Sequence, residues 1–163
     1  MINETITSYR ATLQLIVRAT SDLGPRQWTV QPGGILNHPA WTMGHLVHSA
    51  QAIGCELGLS PWLPESWAKK FGTGSAPQVD GEICPSPTEL ESALVLAEQK
   101  VIERLQSMPA NVLAGPLPDV RYREVFPSLG HAVVHILCAH TSFHAGQIML
   151  WRRAMGLPTE PAL

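Results

Sequence analysis

The chain has 163 residues, 45% of them apolar, enough for one sizeable core, hardly enough for two ordinary domains, and too apolar for wholesale disorder. Eleven Lys and Arg against 13 Asp and Glu leave a formal charge of −2, which offers no electrostatic footprint for DNA or RNA. Charged residues make up only 15%, below the usual quarter, a hint that part of the outer surface is covered by another subunit.

Met1-Ile2-Asn3-Glu4-Thr5 has no basic region followed by an apolar stretch, so it does not read as a signal peptide, and Asn3-Glu4-Thr5 matches a glycosylation acceptor only by chance. The first helix is predicted from Ile6, Tyr9, Leu13, Ile16, Thr20 and Leu23, which recur at threes and fours until Gly24-Pro25 stops the run. A second begins near Pro39 and runs through Trp41, Leu46, Val47 and Ile53 to about Gly58. Ser60 to Pro85 is rich in Pro and Gly, with a short helix expected at Glu65 to Phe71. A crossover of that length can join neighbouring helices that run parallel. Within it, Gly72-Thr73-Gly74-Ser75 lacks the Gly-Lys-Ser/Thr of a phosphate loop and reads as a rim loop.

The third helix opens at Pro87-Thr88, with Glu91 three residues on as a capping box. Its stripe is Leu90, Leu94, Ala97, Val101, Leu105 and Met108. After a connection from Pro109 to Phe126, the fourth starts near Pro127 or Ser128 and runs to Met155, where Gly156 and Pro158 stop it. The expected fold is all-α: a single domain over residues 1–163, a four-helix bundle with a long crossover between its second and third helices. No run approaches the roughly 18 apolar residues that span a bilayer. Cys55, Cys84 and Cys138 are far apart and form no C-x-x-C, so a reduced, cytoplasmic protein with no membrane partner is the expectation.

Seven histidines are the unusual feature: His38, His45, His48, His131, His135, His140 and His144. Four form two H-x-x-x-H pairs on the last helix, and imidazoles four apart stack on one helical face. At about 100° per residue, with His131 at zero, His135 falls near 40°, His140 near 180° and His144 near 220°. Val133, Leu137, Ile148 and Trp151 fall between roughly 200° and 260°. His140 and His144 therefore share the inward stripe, whereas His131 and His135 face solvent or a subunit contact. Buried imidazoles need partners, either a metal ion or hydrogen bonds to backbone or water.

His140-Thr141-Ser142-Phe143-His144 has no Glu after its first His, so it is not a zincin motif. No Glu stands three residues before any His, which disfavours a di-iron bundle. What remains is a mononuclear site with a further ligand from elsewhere. His45, one turn after Trp41, is the first choice and His48 the second.

His140-Thr141-Ser142-Phe143-His144-Ala145-Gly146-Gln147, leading to Gly156-Leu157-Pro158, resembles the last-helix signature of the DinB-like superfamily. Asn37-His38-Pro39-Ala40-Trp41-Thr42-Met43-Gly44-His45-Leu46 resembles its second helix, where the His before Leu is a metal ligand. The resemblance implies a four-helix bundle, often a homodimer, with a three-histidine site of His45, His140 and His144 for zinc or nickel. Relatives of that kind include transferases of low-molecular-weight thiols (bacillithiol, mycothiol or glutathione) and a mycothiol-dependent isomerase.

The chemistry expected is transfer of a thiol to a small electrophilic substrate. A metal-dependent hydrolase and a non-catalytic binding bundle are the alternatives. His48 is the spare acid–base candidate. Trp41 and Trp151 read as core or pocket-wall aromatics, and Trp62 and Trp67 as a cap on the bundle or a lid. Arg152 and Arg153 complement the helix dipole or bind a carboxylate of a thiol, and Cys138 reads as a small buried hydrophobe.

Overall fold

A computed structural model describes residues 2–78 and 85–159, so Cys84 lies outside the described residues. The helices are α1 (Ile2–Thr20), α2 (Pro39–Glu56), α3 (Glu65–Phe71), α4 (Pro87–Ser107), α5 (Ala110–Ala114), α6 (Leu129–Val134) and α7 (Thr141–Ala154). A π-helical segment, His135–His140, joins α6 to α7. No strand occurs among the described residues. The all-α expectation holds, and so does the short crossover helix at Glu65–Phe71.

Apolar spacing fixes which faces meet. Leu90, Leu94, Ala97, Val101, Leu105 and Met108 are all buried, as the sequence stripe requires, and pack with Ile6, Tyr9, Leu13 and Ile16 of α1. Each fully buried aliphatic side chain of this kind contributes about 1.5–3 kcal/mol. The ends are set by local chemistry. Ser86, not Thr88, caps α4: its Oγ accepts from the Glu89 amide while the Glu89 carboxylate takes the Ser86 amide. The capping box thus sits two residues earlier than predicted, because Pro87 suits the first helical position. The first helix ends at Thr20, whose hydroxyl turns back onto the Ile16 and Val17 carbonyls, and not at Leu23.

Cross-helix contacts give the directions. Arg10 on α1 donates to Glu98 on α4 (3.2 Å) while Leu13 and Val17 lie beside Leu94, so α1 and α4 are antiparallel. Cys138 reaches the Thr5 carbonyl and Arg152 the Ala19 carbonyl (2.6 Å), so α1 runs parallel to the last helix. Asn37 meets Gln147 and His45 meets His140, which makes α2 antiparallel to that helix. It follows that α2 and α4, the most extensively packed pair, run parallel, an arrangement that the long crossover between them allows. Arg104 at the end of α4 accordingly donates to the Leu57 carbonyl at the end of α2 (2.7 Å).

The last helix departs from simple periodicity. Its buried positions Leu129, Val133, Leu137 and Thr141 step by four three times. On an α-helix each such step drifts by about 40°. The π segment, with its i→i+5 hydrogen bonding, widens one turn and takes up that drift. Thr141 reflects the wide turn by donating its hydroxyl to the Ile136 carbonyl, five residues back (2.9 Å).

Near its other end Arg152 is fully buried and makes a two-pronged ion pair with Asp22 (2.5 and 2.8 Å), and it also donates to the Pro158 and Ala19 carbonyls. It is a clamp between the ends of α1 and α7, with its donors committed, and the carboxylate-binding role considered for it is excluded. Arg152→Met is expected to cost about 3 kcal/mol, because carbonyl and carboxylate partners are left behind. Urea unfolding of the variant, compared with an exposed-site control such as Arg153→Met, checks this.

Candidate metal centre

His45 projects from the middle of α2, His140 from the end of the π segment and His144 from the first turn of α7. The Nε2 atoms of His45 and His144 each lie 3.2 Å from His140 Nε2. One ligand atom from each ring falls within 4.8 Å of the others, and among the described residues this is the group able to hold a metal ion. A tetrahedral ion with imidazole nitrogens at about 2.0–2.1 Å sets them about 3.3 Å apart.

Hydrogen bonding shows why these nitrogens do not satisfy one another. His45 Nδ1 donates to the Phe71 carbonyl (2.7 Å) and His144 Nδ1 to Gln147 Oε1 (2.8 Å), which is itself held by Asn37 Nδ2 (3.2 Å). With their protons on Nδ1, both rings present bare lone pairs at Nε2. His140 has at most one proton at Nε2 to give, and its buried Nδ1 has no partner. With that proton on Nε2, one hydrogen must serve two acceptors and a bare Nδ1 lone pair is buried without a partner; with it on Nδ1, both 3.2 Å contacts set lone pair against lone pair, and a cation resolves either arrangement.

The same crowding sets the protonation state. Burial first, then the neighbouring His144, His45 and His135, push His140 down to about 3; burial and His45 push His144 down to about 4. His45 is lowered by burial, partly offset by its bond to Phe71. No carboxylate or cationic Lys or Arg is among the causes. The three imidazoles are thus neutral at pH 7, the form that ligates a metal.

The ring planes are fixed by packing. Trp41, one turn before His45, stacks on it with centroids 4.8 Å apart and planes 7° off parallel. Its indole nitrogen donates to Ser75 Oγ (2.9 Å), which donates to the Lys70 carbonyl (3.0 Å), so the Gly72–Ser75 loop is tied to the site wall. Helix α3 is seated on α2 through Gly44. A Cβ there would lie 2.4 Å from the Phe71 ring, and the Gly44 carbonyl accepts from the Trp67 indole (3.0 Å). That close approach brings the Phe71 carbonyl to His45. Trp67 is thereby packed into the core, as the cap reading had it and not the lid.

The other histidines separate. His38 caps α2, accepting the Trp41 amide at Nδ1 (3.2 Å) and donating from Nε2 to the Gln78 carbonyl (2.9 Å). His48 is half-buried, lowered by burial and by His45, and takes no part in the hydrogen bonds or ring contacts of the cluster. His131 is exposed and bonded to Ser128, as its wheel position suggested. His135 is exposed too, but it is not on the far side of the helix from the pair. The π segment turns it toward His140 (centroids 6.5 Å), where it packs on Phe126 (4.8 Å).

Two outcomes test this geometry. Gly44→Ala is expected to cost about 1–3 kcal/mol through overpacking against Phe71, read by urea unfolding in chelator, and to weaken zinc binding about tenfold or more through the lost orienting bond, read by calorimetric titration with Zn2+. In chelator, stability is expected to fall as pH drops below about 6.5, because the unfolded chain takes protons that native His140 and His144 refuse until about pH 4 to 3. Each contributes up to about 1.4 kcal/mol per pH unit, and His140→Ala should flatten the slope between pH 7 and 5 in urea unfolding.

No curated protein and no solved structure matches the chain. The family model of the DinB superfamily matches residues 8–148, a span that holds all three clustered histidines and stops short of the Gly156-Leu157-Pro158 ending. By that match over most of its length, this chain of converging histidines belongs to the DinB superfamily.

Proposed function

We propose that the chain is a divalent-metal-dependent enzyme that holds zinc or nickel on His45, His140 and His144 and transfers a low-molecular-weight thiol to a small electrophilic substrate. The observation that carries the metal is the set of three facing Nε2 atoms with too few protons to pair them. The thiol comes from the resemblance to thiol-using relatives. Three neutral ligands would leave the ion its full charge, supplying a Lewis acid that lowers the pKa of a coordinated thiol or water.

The chain's own residues orient and exclude. Trp41 fixes the His45 plane, Phe71 and Gln147 hold the Nδ1 protons away from the centre, and the burial of His45 and His144 keeps bulk water off two of the three rings. His48, one turn after His45 and shifted toward its neutral form, is assigned as the base that accepts the proton of the incoming nucleophile. The absence of any carboxylate among the groups acting on the cluster favours His48 for that role. Hydrolysis of a neutral ester or amide is the second reading, favoured by the absence of charged groups among those that shift the three histidines.

The reading extends to a homodimer. Phe143 and Leu150 are 64% and 56% exposed on one face of α7, on either side of Gly146, whose surroundings are open. Leu150→Glu is expected to convert dimer to monomer in sedimentation equilibrium.

Plasma mass spectrometry of tag-free protein is the first test. About one zinc or nickel per chain is expected in the wild type and a small fraction of it in His144→Ala. No metal in either, after incubation with both ions, overturns the reading. For the metal-loaded protein, transfer of cysteine or glutathione to 1-chloro-2,4-dinitrobenzene is expected to fall about 100-fold in kcat in His48→Gln with metal content unchanged; ester cleavage without added thiol would select the hydrolase.

A further inference from the structure

The two buried rings of the cluster are supported in different ways. Behind His45 stands the Phe71 carbonyl, 2.7 Å from Nδ1, and a carbonyl can only accept. Behind His144 stands the Gln147 side chain, 2.8 Å from Nδ1, and a primary amide accepts at one end and donates at the other. Turned half round, the same amide would give a hydrogen to His144 Nδ1. The ring's own hydrogen would then stand on Nε2, in the 3.2 Å gap to His140 Nε2, where an ion needs a lone pair. The site therefore depends on whatever keeps the Gln147 oxygen toward His144.

Asn37 meets Gln147 at that same oxygen. Its Nδ2 donates to Gln147 Oε1 (3.2 Å), which also takes the His144 hydrogen. One atom in contact with both neighbours ties their roles. An oxygen there takes a hydrogen from each, whereas an NH2 group gives a hydrogen to each. Residue 37 and His144 Nδ1 must both donate or both accept. Asparagine can supply the hydrogen that the first state needs; aspartate, of nearly the same shape, cannot.

The contact joins two anchored positions. Asn37 is followed by His38, extended ahead of Pro39 (φ −80°, ψ 162°), which caps α2 by accepting the Trp41 amide and reaches the Gln78 carbonyl (2.9 Å) through its other nitrogen. Gln147 comes three residues after His144, on the same face of α7.

We propose that Asn37 is a positioning residue for the metal centre: by offering a hydrogen to Gln147 Oε1 it keeps that oxygen toward His144, and so keeps His144 Nε2 bare. A residue at position 37 that only accepts turns the amide and places a hydrogen where the ion would sit. The inference rests on the metal reading above.

Two swaps of nearly equal shape separate this tie from plain electrostatics. Asn37→Asp and Gln147→Glu each add one negative charge on the same side of the cluster, and by charge alone both would tighten a cation. Through the hydrogen-bond tie they act in opposite directions. Zinc titration near neutral pH, against a competing chelator, is expected to show affinity lower by about tenfold or more in Asn37→Asp, and unchanged or higher in Gln147→Glu, whose carboxylate only accepts. Imidazole nitrogen-15 shifts of the metal-free full chain read the tautomer itself. The His144 hydrogen is expected on Nδ1 in the wild type and in Gln147→Glu, and on Nε2 in Asn37→Asp. Should Asn37→Asp fail to fold, Asn37→Ala releases the amide and is expected to show both tautomers.

Zinc affinity in Asn37→Asp equal to or above that of the wild type overturns the proposal. So does weaker zinc binding with the His144 hydrogen still on Nδ1, or Asn37→Ala with that hydrogen on Nδ1 alone, since Asn37 would then be structural only. The shifts are read without metal, so a wild type that binds no zinc would sink the metal reading while the tautomers still decide the role of Asn37.

Discussion

Two imidazole nitrogens each held 3.2 Å from a third, with too few protons among them, are the constraint around which the rest of this molecule is arranged. Left alone they repel, and burial adds to the difficulty by making a proton on any of them costly. A chain that folds in spite of this must hold the rings by contacts made elsewhere. It does so with a parallel-stacked indole on one, a backbone carbonyl behind it, and a side-chain amide behind another. Ionisable groups perturbed this strongly, converging in one place, are what functional sites look like physically.

The bundle supplies those contacts through its connectivity. Since α2 and α4 run parallel, the chain has to travel back along the bundle between them, and α3 lies on that return path against α2. A short connection would have left the face of α2 around Gly44 bare. The return path instead delivers Phe71, whose ring fills the space over Gly44 and whose carbonyl orients His45. On the other wall, Asn37 just before α2 steadies Gln147 on α7, so the two helices that bear His45 and His144 are also coupled by their supports.

Much of this was legible in the sequence. Apolar spacing located the long helices, the length of the crossover left room for parallel neighbours, and the wheel placed His140 and His144 on the inward stripe. Trp41 one turn before His45 marked that histidine as the inward one. The wheel misplaced His135 for a definite reason: it assumes about 100° at every residue, and the π turn at His135–His140 breaks that rule. Three successive steps of four in the buried stripe carried the signal of a widened turn, but only once the burial of Leu129, Leu137 and Thr141 was known. The Phe71 carbonyl had no signal at all, because every residue has a carbonyl and only tertiary structure says which one meets His45. The clamp made by Arg152 had no signal for a related reason. Its burial depends on Asp22, 130 residues away, and no local pattern links the two.

The supports behind the ligands also bear on how an ion there would behave. Where a ligating histidine gives its second proton to a carboxylate, the partial charge passed through the ring makes the imidazole a stronger donor and blunts the metal. Here the acceptors are a peptide carbonyl behind His45 and an amide behind His144, both uncharged, and His140 Nδ1 has none. As ligands these rings would be weak donors, and little of a cation's charge would be neutralised before a further ligand arrived. That combination would give up metal affinity in exchange for Lewis acidity. It is the balance expected of a site that activates a nucleophile, whereas a site built only to brace the fold would gain by the opposite choice.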